Sequence, residues 1–292
     1  MSPTDISPNG RGSDAWFRPW THLCIDRRSP SYCRVTFDHP PINTITATTV
    51  AELAELVGLI EQDGDLNVVV FDSSNPAFYL AHYDVENDPG TFALGVGPTG
   101  MPAWIDLLVR LARAPVVSVA AIRGRSRGAG SEFVLACDLR FASRENTLLG
   151  QFEVGMGVVP GGGSMARLSR LVGRGRALEI LLVADDLDGP RAEQYGYVNR
   201  LIPDDELDSE TDAIASRLAR FDHDAIARTK AYVDQVTLPM DAELPPAFAD
   251  FCELFGRPAQ QAQWARLQEL GLNTDSDLER RLGWRVVDSL PD

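Results

Sequence analysis

The sequence predicts an α/β fold in which buried parallel strands alternate with helices. Two continuous apolar runs, Asn67 to Asp72 and Pro115 to Ile122, have the length and the β-branched content of strands buried on both faces. Before the first of these runs, and again between the two, the apolar residues recur at helical spacing, as Val50, Leu53 and Leu56 do ahead of Asn67. Alternation of these two patterns is typical of a sheet that is covered by helices.

The remaining elements follow from periodicity and from the residues that interrupt it. Val and Thr alternate from Cys33 to Phe37, which predicts a strand, and His39-Pro40-Pro41 ends it because proline cannot donate to a sheet. After Leu238 we expect only helices and loops. The other predicted elements, in chain order, are a helix at Thr48–Glu61, a helix at Met101–Ala112, a turn at Gly124–Gly130, a helix start at Ser131–Cys137, a glycine-dense loop at Gly155–Gly163, helices at Ser164–Val172, Gly175–Ala184 and Pro190–Gly196, a strand at Val198–Ile202, and helices at Asp205–Arg220 and Asp222–Val236.

Composition excludes several classes of protein. The 292 residues are 44% hydrophobic and 24% charged, which is typical of a globular protein and not of a disordered chain. Lys plus Arg number 27 against 42 Asp plus Glu, so the net charge is −15. An acidic protein has no general affinity for nucleic acid or for an anionic membrane, so neither is expected as a partner. A local cluster of donors could still hold a small anionic ligand.

Cysteine usage and apolar run lengths indicate a cytoplasmic protein. The four cysteines are far apart in sequence, which favours reduced thiols, and the scattered histidines give no metal-ligand spacing, so we expect no metal site. Residues 1–14 are polar and do not resemble a signal peptide. No apolar stretch approaches the roughly 20 residues that a membrane helix needs.

One short string suggests a hydrolase. Residues 124–128 read Gly-Arg-Ser-Arg-Gly and match G-x-S-x-G between a predicted strand and a predicted helix, the context of a nucleophile elbow. An esterase that used Ser126 would also need an acid and then a histidine downstream, and His223 is the only histidine after Ser126. A serine esterase therefore remains one alternative.

A different set of motifs runs in order over residues 21–235. These motifs are Val-Thr-Phe-Asp-His-Pro-Pro-Ile-Asn at 35–43, Val-Val-Val-Phe at 68–71 with Ala-Phe-Tyr-Leu-Ala-His-Tyr-Asp at 77–84, Ala-Pro-Val-Val at 114–117 with Gly-Ala-Gly-Ser-Glu at 128–132, Gln-Phe-Glu at 151–153 with Pro-Gly-Gly-Gly at 160–163, and Tyr-Gly-Tyr-Val-Asn at 195–199. Taken together, they resemble the crotonase (enoyl-CoA hydratase/isomerase) family. Past Leu238 the resemblance fades.

The resemblance implies a crotonase-type spiral of ββα turns with a helical C-terminal region. On this basis we expect a flexible N-terminal lead over residues 1–20, a spiral core over 21–205, and a helical oligomerisation region over 206–292. The family also implies acyl-CoA thioester substrates and a homotrimer or a hexamer built as a dimer of trimers. Trp264, Leu267 and Leu270 would be exposed in such a C-terminal region and available for subunit contacts.

The resemblance also implies the site residues. A thioester carbonyl that becomes an enolate needs two donors aimed at its oxygen, and backbone amides at a helix start suit that task. The motif match assigns these donors to the amides of Tyr83 and Ala129. It assigns the two hydratase glutamates to Glu132 and Glu153, which would act as a general acid and base pair, and a water-orienting amide to Gly161.

Departures from the family pattern concern the residues around the thioester. His82 and Tyr83 stand where the family usually has Gly-Ala, and both they and Asp84 and Gly128 are expected to lie against the substrate. Three arginines precede the predicted oxyanion helix. Of these, Arg125 and Arg127 are the candidates for contacts with the CoA phosphates, since an acidic protein must supply local cations for them.

The sequence thus predicts an enzyme that adds water in syn geometry to a 2-enoyl-CoA. Glu153 would protonate the α-carbon and Glu132 would hold and activate the water. No cofactor is expected beyond the CoA carried by the substrate. An enoyl-CoA isomerase, a C–C bond hydrolase of the same family and a non-catalytic acyl-CoA binding protein remain alternatives, as does the serine esterase.

Overall fold

The structure, a computed structural model, describes residues 13–85 and 94–290. Its ten strands within these ranges are β1 Leu23–Ser29, β2 Tyr32–Phe37, β3 Val68–Ser73, β4 Phe78–Leu80, β5 Val117–Ile122, β6 Arg125–Arg127, β7 Leu139–Ser143, β8 Leu148–Gly150, β9 Leu187–Asp188 and β10 Arg200–Ile202. Its α-helices are α1 Ser13–Trp16, α2 Ala47–Gln62, α3 Ala103–Arg113, α4 Ala129–Ala136, α5 Ser164–Val172, α6 Arg174–Val183, α7 Gly189–Tyr195, α8 Leu207–Leu218, α9 His223–Thr237, α10 Pro245–Phe255, α11 Pro258–Glu269, α12 Asp277–Arg280 and α13 Leu282–Arg285. Short 3-10 helices include Glu153–Met156 and Val286–Ser289.

Two sheets form the body of the molecule. The larger has the order β1-β2-β3-β5-β7-β10, in which only the β1–β2 pair is antiparallel. The smaller has the order β4-β6-β8-β9, in which only the β8–β9 pair is antiparallel. Strands β2 and β3 run in register from Tyr32 opposite Val68 to Phe37 opposite Ser73.

Successive strands alternate between the two sheets. Strand β3 lies in the large sheet and β4 in the small one before α3 follows, and the pattern repeats for β5, β6 and α4 and again for β7, β8 and α5. The repeated ββα unit confirms the predicted spiral fold. Because parallel strands need a crossover, each helix carries the chain back to start the next turn of the spiral.

Helix α4 lies at the centre of this arrangement and begins close to the backbone of β4. A Cβ built on Gly130 would lie 1.8 Å from the carbonyl oxygen of Leu80, so only glycine allows this approach. Phe133, one turn further, packs edge-on against Phe37 and Phe71 from the large sheet. The N-terminus of α4 is thereby fixed against the end of β4, where the site is expected.

Several of the predicted elements are confirmed within two or three residues, and Ser164–Val172 matches at both ends. The sequence interpretation missed β1, β7 and the short strands of the small sheet. The predicted turn at Gly124–Gly130 contains strand β6, and the helix after it starts at Ala129 and not at Ser131. Strands of two or three residues are too short to show an alternating pattern, which explains why the small sheet could not be predicted.

The N-terminal lead is only partly described. Residues 1–12 lie outside the described residues. From residue 13 onward the chain packs on α2: Trp16 is buried, and the Arg18 guanidinium bonds both carboxyl oxygens of Glu55 at 2.9 and 2.6 Å. Trp16 and Arg18 are thus in contact with the body of the molecule, and the extent of the flexible lead stays a prediction.

The C-terminal region is helical, as predicted, but two residues expected on its surface are buried. Trp264 and Leu267 pack with Phe152 and Met156, which come from the turn carrying Glu153. Of the three residues named for subunit contacts, only Leu270 is exposed. Helices α10 and α11 thus cover the chain's own core. Among the described residues, no helix combines the length and the apolar character that crossing a membrane requires.

Candidate active site

A small apolar cavity lies where α4, the segment after β4 and the Glu153 turn meet. Its volume is about 50 Å³. The predicted residues His82, Tyr83, Gly128, Ala129 and Glu153 all line it. The other walls come from apolar side chains of the Glu153 turn and of α10 and α11: Val85, Phe152, Met156, Val158, Phe251, Phe255 and Trp264. The cavity is therefore apolar, with one carboxyl group and the start of a helix at its edge.

Glu132 lies in the first turn of α4 and is only 2% exposed. Its Oε1 accepts a hydrogen bond from the Gly162 amide at 2.6 Å, and its Oε2 accepts one from Trp104 Nε1 at 3.0 Å. Burial raises the pKa of Glu132, while these two donors and the Ser164 amide oppose that rise. The carboxyl group is thus provided with donors that favour its ionised form.

Glu153 begins a 3-10 helix and is 8% exposed. Its Oε1 lies against the backbone of Gly128, where an added Cβ would be 2.9 Å away. Burial raises the pKa of Glu153 well above its usual range, and the negative charge of Glu132 raises it further. The pKa values of both carboxyl groups are raised, but hydrogen-bond donors oppose the rise at Glu132, whereas the charge of Glu132 adds to the rise at Glu153.

The backbone at Tyr83 is held by a short parallel bridge to Ile45. The Ile45 amide donates to His82 O at 2.8 Å, and the Asp84 amide donates to Ile45 O at 3.0 Å. Because amides alternate in direction along an extended strand, the Tyr83 amide faces away from Ile45. The Ala129 amide is the first of α4, one of the four that have no acceptor within the helix. Both residues border the same cavity, which is the arrangement that a two-amide oxyanion hole needs.

The glycine run 161–163 contacts Glu132 through a different residue from the predicted one. The amide that donates to Glu132 belongs to Gly162, and a Cβ there would lie 1.9 Å from Glu132 Oε2. Gly161 instead faces α10, since a Cβ on it would lie 3.2 Å from Phe251 Cβ. The loop is next to the glutamate as predicted, but the water-orienting role of Gly161 stays a prediction.

Two of the predicted substrate contacts are engaged elsewhere in the chain. His82 borders the cavity, but its Nε2 is 2.8 Å from Glu279 Oε1 of α12. Asp84 accepts a hydrogen bond from Asn273 Nδ2 at 3.0 Å and does not line the cavity. Both side chains therefore face the C-terminal segment, residues 271–290, and this arrangement argues against direct substrate contact by Asp84.

The two arginines predicted to bind the CoA phosphates also hold the C-terminal segment. Arg127 is 1% exposed, bonds both Asp186 oxygens at 2.6 and 2.7 Å, and donates to Glu279 O at 2.8 Å. Arg125 Nε donates to Arg280 O at 2.8 Å. The predicted contact of Arg127 with a CoA phosphate is wrong, because its donors are used and no phosphate can reach the buried guanidinium. The contact of Arg125 with Arg280 O gives no support to a phosphate contact by Arg125.

The nucleophile-elbow match at Ser126 is a coincidence of sequence. Ser126 is the middle residue of β6, is fully buried, and its Oγ has no hydrogen-bond partner among the described residues. His223, its only downstream histidine, bonds the side chain of Asn67, the residue that precedes β3, at 3.1 Å. A buried serine on a sheet strand without a base cannot attack an ester, so the geometry excludes the esterase.

Sequence reasoning missed two polar residues of the site. Trp104 lies in the helix predicted over Met101–Ala112, and nothing in its spacing distinguishes an indole that donates to a carboxylate from one that only packs. Gln151 was part of a quoted motif without a role. With the side-chain nitrogen of Gln151 turned toward Glu153, the Gln151 amide donates to both carboxyl oxygens of Glu153 over 3.1 Å.

Comparisons with known proteins agree with the fold. The sequence matches the enoyl-CoA hydratase/isomerase family over residues 27–264. A short-chain-enoyl-CoA hydratase of Clostridium acetobutylicum is 29% identical over 228 residues, which are 76% of this chain and 84% of that protein. A crotonyl-CoA hydratase of Syntrophomonas wolfei is 29% identical over 218 residues, 74% of this chain and 81% of its own.

A crystal structure from Streptomyces avermitilis, of a protein assigned as an enoyl-CoA hydratase, superimposes with a TM-score of 0.88 at 38% identity. The match covers 94% of this chain and 99% of that one, so it includes the C-terminal region where the motif resemblance fades. Together with the ββα spiral and the paired glutamates, these matches show that the chain belongs to the enoyl-CoA hydratase/isomerase family of acyl-CoA enzymes.

Proposed function

We propose that this protein hydrates 2-enoyl-CoA thioesters by syn addition of water across the Cα–Cβ double bond. The observation that carries the proposal is the pair of buried glutamates in contrasting environments. Glu132 has three hydrogen-bond donors, whereas Glu153 has its pKa raised by burial and by the charge of Glu132. The addition of water needs both a base and a proton donor. One carboxylate and one carboxylic acid can supply these two roles.

The proposed steps assign one task to each group. The thioester oxygen accepts hydrogen bonds from the amides of Tyr83 and Ala129, which stabilise the enolate that forms as water adds. Glu132 accepts a proton from the water molecule as the oxygen of that water attacks the β-carbon. Glu153 then gives its proton to the α-carbon. The CoA portion arrives with the substrate, and these steps call on no further cofactor.

The cavity restricts the acyl group. At about 50 Å³ with aromatic walls from α10 and α11, it accommodates a few carbon atoms beyond the thioester. We therefore infer that short 2-enoyl groups are the preferred substrates. The same walls support our proposal that α10 and α11 form part of the acyl site.

The function is tested by offering the enzyme a 2-enoyl-CoA and its 3-enoyl isomer separately. A hydratase converts the 2-enoyl compound to the 3-hydroxyacyl-CoA, which chromatography separates from both starting materials. Conversion of the 3-enoyl compound without hydration would favour the isomerase alternative, which needs only Glu153. Binding without conversion of either would favour the non-catalytic alternative.

A homotrimer, or a dimer of trimers, is proposed as the working assembly. The support on this chain is the apolar surface of α9, where Tyr232 is 73% exposed and Val236 is 81% exposed. We expect a sedimentation mass of three or six chains at micromolar concentration. A mass near the single-chain 31.9 kDa would contradict the proposal.

A further inference from the structure

A buried ion pair joins the C-terminal segment to the residue that precedes Tyr83. Glu279 Oε1 lies 2.8 Å from His82 Nε2, although 197 positions separate the two in sequence. Glu279 is fully buried and His82 is 2% exposed. The same Glu279 oxygen also accepts from the Asn273 amide at 2.8 Å, which fixes the carboxyl within its own segment.

The contacts of this segment converge on residues 82–84, here called the oxyanion loop, from both sides of Tyr83. His82, before it, is bound by Glu279, and Asp84, after it, is bound by the Asn273 side chain at 3.0 Å. The other nitrogen of His82, Nδ1, lies 2.9 Å from Tyr83 O and donates to that carbonyl when Nδ1 carries a hydrogen. The peptide that supplies the proposed oxyanion amide is thus held from residues more than 180 positions later in the chain.

Stability alone does not account for this pair. Two buried charged groups lose their hydration, and apolar residues of similar size would often stabilise the fold equally well. The gain that a buried ion pair does offer is a defined geometry. His82 also packs edge-on against Phe152, the neighbour of Glu153, with ring centres 5.4 Å apart. One imidazole ring therefore contacts both the oxyanion loop and the Glu153 turn.

We propose that Glu279 is a positioning residue for the reaction, which acts through His82 to hold the Tyr83 amide at the thioester oxygen. This inference rests on the proposed function and adds the C-terminal segment to the catalytic machinery. A shift of about 1 Å in an oxyanion donor is enough to slow a reaction by about 100-fold, so the position of this peptide matters to the rate.

The charges around His82 favour its protonated form. Burial lowers the pKa of His82, but the charge and hydrogen bond of Glu279 outweigh it and leave the pKa raised, while Arg127 on β6 opposes them. Burial would raise the pKa of Glu279, but the charge and hydrogen bond of His82 and the Asn273 amide outweigh burial and leave that pKa lowered. The pair's contribution to folding is therefore lost as the pH rises through the raised pKa of His82, or falls through the lowered pKa of Glu279.

The experiment compares Glu279→Leu and Glu279→Gln with the parent enzyme. We expect Glu279→Leu to lower kcat for a 2-enoyl-CoA by about 10- to 100-fold with little change in KM, because the substrate still binds but its oxygen is poorly held. Glu279→Gln keeps an acceptor for His82 and should recover most of the loss. Asp275→Asn, which removes an exposed ion pair with Arg280 on the same segment, is the matched control and should be silent.

A spectroscopic readout separates positioning from simple loss of structure. Butyryl-CoA, labelled with carbon-13 at the thioester carbonyl, can bind but cannot be hydrated. Oxyanion donors lower its carbonyl stretching frequency. We expect the full shift in the parent and in Asp275→Asn, and a smaller shift in Glu279→Leu. If Glu279→Leu fails to fold, His82→Gln gives the same comparison, because it weakens the same link while leaving Glu279 in its segment.

One result would overturn the proposed function, and a different result would overturn only the positioning role of Glu279. A parent enzyme that shows no carbonyl shift would overturn the proposed oxyanion hole, and with it the proposed function. A parent that shows the shift, together with a folded Glu279→Leu variant that keeps both the shift and its kcat, would overturn the positioning role alone.

Discussion

Trp104 Nε1 donates a hydrogen bond to Glu132 Oε2 over 3.0 Å, and the ring of the same tryptophan meets the ring of Tyr83 edge-on at 5.2 Å. A single side chain of α3 therefore contacts both the proposed base and a residue of the proposed oxyanion hole. Since the indole can only donate, it favours the ionised form of Glu132. Without the Trp104 donor, burial would raise the pKa of Glu132 and no contact from α3 would oppose that rise.

Replacing Trp104 by Phe tests this relationship. The ring contact with Tyr83 is kept, but Glu132 loses a donor worth about 1.5–3 kcal/mol to a charged group. The pKa of Glu132 should rise, and kcat/KM near neutral pH should fall by about 10-fold. Trp20→Phe removes a similar indole donor from a different place and should leave the rate unchanged. Equal rates for parent and Trp104→Phe would contradict the role.

The pH dependence of kcat/KM follows from the two carboxyl groups. Activity needs Glu132 ionised, so it should be lost as the pH falls through the pKa of Glu132. It also needs Glu153 protonated, and because that pKa is raised, activity should persist through neutral pH and be lost only as the pH rises through it. The measurement is a bell-shaped profile with the free enzyme. A profile without a descending limb at high pH would show that Glu153 is not the acid.

Chain-length preference should respond to a single aromatic residue. Phe251 of α10 borders the cavity and is only partly buried, so its replacement by Ala opens space without removing a core residue. We expect Phe251→Ala to raise kcat/KM for an eight- or ten-carbon 2-enoyl-CoA relative to the four-carbon substrate. Phe248→Ala, three residues earlier and outside the cavity lining, is the control and should leave the ratio unchanged. No change of ratio in Phe251→Ala would remove the cavity as the acyl site.

The glutamates and the fold could be predicted because their signals are local in sequence. Glu132 stands in a glycine-rich helix start and Glu153 ends the Gln-Phe-Glu motif; in the structure Glu153 lines the cavity and Glu132 bonds the glycine loop. The ordered motifs over most of the chain also fixed the ββα spiral. Periodicity was sufficient for the longer helices, since each buries one apolar face.

What could not be predicted depends on contacts between distant parts of the chain. Arg127 was assigned to the CoA phosphates because an acidic protein must supply local cations for them, but Asp186 and the C-terminal segment engage its guanidinium. His82 was placed against the substrate, and its partner Glu279 lies in a region without motif resemblance. The position of a charge in one turn says nothing of a partner 50 or 200 residues away.

Turnover of a 2-enoyl-CoA by Glu132→Gln and Glu153→Gln, measured beside the affinity of each variant for the 3-hydroxyacyl-CoA product, tests the two-glutamate mechanism most directly. Glutamine keeps the shape of each side chain and removes the proton transfer, so each variant should bind the product and lose about 10²–10⁴ in kcat. Glu269→Gln, an exposed residue at the end of α11, should match the parent. If either site variant folds, binds and retains turnover within about tenfold of the parent, the assignment of acid and base to this pair is wrong.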